Sequence, residues 1–183
     1  MKLQRCPVFS DPQLSYMRQT IRRSMEDGRE RGFVIRGSAE EPRFGASCTG
    51  DECSVQIGEH WGEYGDFHTH PRNGAPYPNS ADLIGTMYRS HRLICVGADE
   101  GGGPTVNCFT TSKYGTDEWY NAYRKTHEFW SRLPGRVIKE GVEARSAHRK
   151  QLENFAVDTL MPIYDTMCAY PPPRSERKQT SLF

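Results

Sequence analysis

The residues able to do chemistry gather between positions 65 and 83. They run Gly65-Asp66-Phe67-His68-Thr69-His70-Pro71, then a loop, then Asn79-Ser80-Ala81-Asp82-Leu83. Side chains on an extended strand alternate with a period of two, so His68 and His70 point the same way and make a pincer for one metal ion. Pro71 ends the strand by removing a backbone donor, and Gly74, Pro76 and Pro78 describe a rigid loop leading to a helix start. Asp82 then falls on the first turn of that helix. Two imidazoles and a carboxylate, with a fourth position left for water, are the donor set expected of a catalytic Zn²⁺ rather than a structural one.

The elements that must hold these groups can be read on either side. Asp11-Pro12 reads as an N-cap and first helical residue, and Leu14, Met17, Ile21 and Met25 follow at helical spacing, so a helix is expected to stop at Gly28. Gly32 to Gly37 has the β-branched and aromatic content of a buried strand. Phe44 to Cys48 reads as a weak strand and Ser54 to Gly58 as a half-buried one. The helix opened by Asn79 or Ser80 carries Leu83, Ile84, Met87 and Tyr88 on one face. Leu93 to Ala98 and Thr105 to Thr110 form a hairpin across Gly101-Gly102-Gly103-Pro104. Consecutive strands of this kind favour an antiparallel or mixed sheet. From Thr116 the pattern turns helical, with an aromatic face from Trp119 to Trp130 read as core packing, and a further helix follows from about Val142, with Pro162 kinking or ending it.

Bulk properties remove several function classes. A chain of 183 residues fits one domain with appendages. Its 24 Lys and Arg against 23 Asp and Glu leave a formal charge of +1, so nothing global favours nucleic acid or an anionic membrane as partner. No apolar run approaches the length of a membrane span and no signal peptide is evident, which reads as a cytoplasmic protein. The six cysteines are expected to be reduced, with Cys95 and Cys108 acting as small hydrophobes in strands. Cys48 and Cys53 are read as loop cysteines, and His60, His91, His127 and His148 as surface or satisfied histidines.

The pattern His68-x-His70-Pro71, a short Gly/Pro loop and then Asp82, after a helix and a strand preceded by a glutamate, resembles the JAMM (MPN+, JAB-domain) metalloprotease family. The resemblance covers roughly residues 10 to 112. It implies an α/β fold, a cytidine-deaminase-like mixed β-sheet flanked by helices, over residues 1–115. Residues 116–170 are then a C-terminal helical extension and 171–183 a flexible tail. It also implies a zinc-dependent metallopeptidase or isopeptidase, deubiquitinase-like, whose substrate is a peptide or protein such as the C-terminus of a ubiquitin-like protein. In that scheme His68, His70 and Asp82 are the metal ligands and Glu30 is the proton shuttle. The family usually shows Glu-x-x-Gly where this chain has Glu30-Arg31-Gly32, which keeps Glu26 as a second candidate. The family's oxyanion-holding serine falls at Asn79, so the donor is either Asn79 or the neighbouring Ser80, or the enzyme is impaired. Two other classes stand beside this one: a catalytically silent MPN-type scaffold for protein partners, and a DNA-associated JAB protein resembling the RadC group.

Overall fold

The computed structural model describes residues 6–50, 62–71, 74–99, 101–133 and 141–173, with the backbone alone for 141–147. Helix α1 (Asp11–Asp27) is opened by Ser10, whose hydroxyl accepts the Gln13 N–H while the Gln13 carboxamide oxygen takes the Ser10 N–H at 2.9 Å. This reciprocal cap satisfies two donors at once, so the cap is Ser10 and not Asp11, which with Pro12 forms the first two helical positions. Gly28 ends the helix as expected. It adopts φ 71°, a left-handed conformation that glycine takes without a side-chain clash, and returns its N–H to Ser24 O.

The strands are β1 (Arg31–Gly37), β2 (Pro42–Phe44), β3 (Cys48–Thr49), β4 (Gly65–Thr69), β5 (Leu93–Ala98), β6 (Thr105–Thr110) and β7 (Thr166–Tyr170). They form one sheet in the order β2-β1-β4-β5-β6-β7, with β3 also pairing β1. Only β4 and β5 are parallel, joined by the crossover helix α2 (Ser80–Tyr88), and the other pairs are antiparallel. The expected mixed α/β architecture is therefore present. The weak strand expected at 44–48 resolves into β2 before it and β3 at its end, while the strand expected at Ser54 to Gly58 lies outside the described residues.

The sheet separates two cores. On one face α1 sets Met17 and Ile21 against Phe33, Ile35, Phe67, Leu93 and Cys95. On the other, α2 brings Leu83, Ile84 and Met87 onto Ile94, and α3 (Asp117–Arg132) and α4 (Gly141–Phe155) close over it with Trp119, Ala122, Leu152 and Leu160. Helix α4 widens into a π-helical turn, Ala156–Leu160, just before Pro162. Residues 116–170, expected to be helical throughout, thus share the α2 core and also supply β7. That strand was not anticipated: Thr166-Met167-Cys168-Ala169-Tyr170 pairs along the whole of β6. Of the expected tail, only 171–173 are among the described residues.

The thiols differ from expectation. Cys95 and Cys108 face each other in the β5–β6 register and are joined by a disulfide, and Cys6 is joined to Cys168 on β7. The expectation of reduced thiols is therefore corrected at these four positions. The physical reason is tertiary: strand pairing brings Cys95 within a Cα separation of 4.0 Å of Cys108, and the docking of β7 brings Cys168 to 5.7 Å from Cys6. Cys48 is free, and Cys53 lies outside the described residues. Among the described residues, no helix is long and apolar enough to cross a membrane.

Candidate metal centre

The crossover through α2 sets the carboxyl end of β4 beside the amino end of the helix that follows it, the kind of crevice in which open α/β sheets bind their ligands. His68 lies on β4. His70, one residue beyond the strand, extends the parallel pairing by donating its N–H to Gly97 O at 2.8 Å. The intervening Thr69 points to the other face, where its hydroxyl donates to Ser24 on α1 at 2.7 Å. The two imidazoles therefore share the α2 face, as the alternation requires.

Each ligand is held by a specific contact. The Ala75 carbonyl can only accept, so at 2.7 Å it fixes the proton of His70 on Nδ1 and leaves Nε2 as a lone-pair donor. The loop supplying that carbonyl is pinned from β6 by Asn107, whose Nδ2 donates to Pro76 O at 2.7 Å. Gly74 is required in the same loop, because a Cβ there would run into the Cβ of His70. Asp82 is fixed by the helix start. Asn79 caps α2 by accepting the Asp82 N–H at 3.0 Å, and the Asp82 carboxylate accepts the Asn79 N–H at 2.8 Å. A carboxylate in this first turn also meets the positive end of the helix dipole.

The resulting geometry fits a metal. His68 Nε2 and His70 Nε2 are 3.1 Å apart, and the two oxygens of Asp82 lie 3.4 Å from the first and 3.3 Å from the second. Tetrahedral bonds of about 2.0–2.1 Å place neighbouring donors about 3.3 Å apart; the two imidazole nitrogens are close to that spacing, and one donor atom from each of the three residues lies within 4.8 Å of the others. His68 and His70 are 7% and 9% exposed and Asp82 17%, so the triad is largely withdrawn from water, with the carboxylate its most accessible member. Among the described residues, His68, His70 and Asp82 form the group of three donors that could hold a metal ion.

No family model, curated protein or solved structure matches this chain.

The charges of the triad show the same demand for a cation. Burial disfavours a proton on His68, but the Asp82 charge and the proximity of both carboxylates, Asp66 and Asp82, outweigh it and push its pKa up to about 10. Burial would likewise raise Asp82, yet His68 and His70 hold it well below the usual carboxylate range.

The remaining candidates are placed unequally. Glu30 is half-buried just before β1, and its carbonyl accepts the Gly50 N–H at 2.8 Å. The β1–β4 register sets Gly32 opposite His68, and Glu30 stands two residues ahead of Gly32, one residue before the strand begins. Glu26 is exposed on α1, which packs on the sheet face opposite the histidines. Asn79 is exposed, with its side-chain oxygen committed to the cap and Nδ2 without a partner among the described residues. Ser80, beside it, lines a cleft of about 530 Å³ that runs from Pro78 to Ala81 across to Leu152, Val157 and Met161.

Of the other histidines, His127 meets Tyr88 O and the half-buried His148 meets Gln151, while His60 is outside the described residues. His91 is fully buried. It donates from Nδ1 to Asp66, a buried carboxylate two residues before His68 to which sequence reasoning gave no role. The strand is buried throughout, so an acid on it needs a partner, a demand that follows from the burial and not from the local sequence pattern.

Proposed function

We infer that the chain is a JAMM-type zinc-dependent hydrolase that cleaves a peptide or isopeptide bond in a protein substrate, such as one at the C-terminus of a ubiquitin-like protein. The observation that carries this reading is the convergence of His68 Nε2, His70 Nε2 and the Asp82 carboxylate, two imidazoles and a carboxylate whose donor atoms lie within 4.8 Å of one another. A zinc ion bound there would supply Lewis acidity toward a carbonyl oxygen and acidify a water at neutral pH.

The chain's own groups divide the remaining work. Glu30, two residues ahead of the glycine that pairs with His68, takes the proton of the attacking water and passes it to the leaving amine. The carbonyl oxygen gains charge as it is attacked, and the Nδ2 of Asn79 or the hydroxyl of Ser80 donates to it. Either donor sits at the start of α2, one or two residues from the cap that fixes Asp82. The cleft beyond Ser80 gives an extended chain somewhere to lie, walled by Leu83, Leu152 and Ala156.

The test is hydrolysis by the zinc-supplemented full chain of a ubiquitin-like protein bearing a C-terminal peptide or isopeptide extension. Chelation should abolish cleavage, Glu30→Gln should lower the rate by about 100-fold or more, and Glu26→Gln should leave it unchanged. No turnover with zinc bound, or a Glu30→Gln variant as fast as the wild type, would overturn the assignment.

A further inference from the structure

Asp66 is 1% exposed, and its two oxygens are treated differently. Oδ2 is fully engaged, accepting from Arg89 Nη2 at 3.0 Å and His91 Nδ1 at 2.8 Å. Oδ1 is buried with no hydrogen-bond partner. The nearest donor it faces is Nδ1 of His68, at 3.8 Å. A buried carboxylate oxygen left unpaired is costly, and proteins keep such groups where a partner arrives or a role demands them.

The surroundings show why Asp66 cannot turn away. Arg89 comes from the C-terminal end of α2, and His91 precedes β5 with its carbonyl held by Tyr164 OH at 2.8 Å. Two elements thus clamp Oδ2, and Oδ1 is aimed along β4 at the next residue on the same face. His70 has the equivalent partner in Ala75 O, so each imidazole has an acceptor on its Nδ1 side and presents Nε2 to the triad.

We propose that Asp66 is a positioning residue that receives the Nδ1–H of His68 and so directs the Nε2 lone pair of His68 at the cation site. Closing 3.8 Å to hydrogen-bond length needs only a small tilt of the ring, of the kind a cation on Nε2 produces. The proposal rests on the triad being a cation site, and it assigns to Asp66 a role beyond charge balance for Arg89 and His91.

The test uses the full chain with ¹⁵N-labelled histidine, titrated with Zn²⁺ alone. The wild type should show a His68 Nδ1 proton protected from solvent exchange, a measurement that needs no variant. Asp66→Asn should lose that protection and weaken Zn²⁺ affinity about 10–100-fold. Arg89→Gln, which leaves Oδ1 in place, should keep both. Unchanged Zn²⁺ affinity in Asp66→Asn, or an equal loss in Arg89→Gln, overturns the proposal while leaving the triad intact as a metal site. A wild type that binds no Zn²⁺ overturns the metal reading instead. In that case the role assigned to Asp66 falls with it, since His68 then has no cation toward which to be directed.

Discussion

Strand β4 is buried along its whole length, yet its two sides are chemically opposite. Phe67 points into the α1 core among Phe33, Ile21 and Gly97, and Thr69 meets Ser24. Asp66 and His68 point the other way, toward Arg89, His91 and Asp82. The first side gains free energy by removing hydrocarbon from water. The second spends it by burying ionisable groups that water would otherwise solvate. A strand that carries both separates support from chemistry within five residues, so the two can be broken independently.

The largest expected effect is on the apolar side. Phe67 is fully buried and stacked on Phe33 with ring centroids 4.8 Å apart. Phe67→Ala should cost about 3–5 kcal/mol in chemical denaturation, enough to threaten folding. An effect below about 1 kcal/mol would mean that this face is not the support.

On the polar side the effect should be smaller and should depend on pH. Burial alone would raise the pKa of Asp66, but the Arg89 charge, the facing His68 imidazole and donation from His91 outweigh it and hold the carboxyl well below its ordinary value. The stabilisation from a depressed carboxylate is complete above the unfolded-state pKa, near 4, and is lost as pH falls through the folded one. Asp66→Asn should therefore be less stable than the wild type by about 1–3 kcal/mol at pH 7, with the gap narrowing below about pH 4. Urea unfolding at several pH values would show this, and a pH-independent gap would contradict it.

This difference between the faces also explains what could be read from the sequence. Strand alternation, the Pro71 stop and the start of α2 were legible because they are local, and they brought His68, His70 and Asp82 together without knowledge of the fold. Gly28 was legible for the same reason. The role of Asp66 was not, because its partners Arg89 and His91 come from the far end of α2 and the turn after it. Strand β7 was hidden because Thr166 to Tyr170 has little alternation of its own and follows a helix, its pairing being supplied by β6. The disulfides were hidden further still: Cys6 and Cys168 are 162 residues apart, and no spacing rule joins them.

The smallest expected effect lies at the junction of the two functions. Asn79 caps α2, and the proposed mechanism gives it, or Ser80, a second task as donor to the carbonyl oxygen under attack. Asn79→Ala should cost about 1 kcal/mol of stability through the lost cap. Asn79→Ser restores a capping oxygen and should recover most of that, so a rate deficit that persists in Asn79→Ser would separate the two roles. If both variants keep full activity, Ser80 is the donor.

The central claim is that His68, His70 and Asp82 form one metal site, and elemental analysis of the purified protein equilibrated with Zn²⁺ and then desalted tests it most directly. The account predicts close to one zinc per chain for the wild type, with His70→Ala losing the metal while retaining the wild-type fold by circular dichroism. A wild type that retains no zinc, or a His70→Ala variant that retains as much as the wild type, would contradict it.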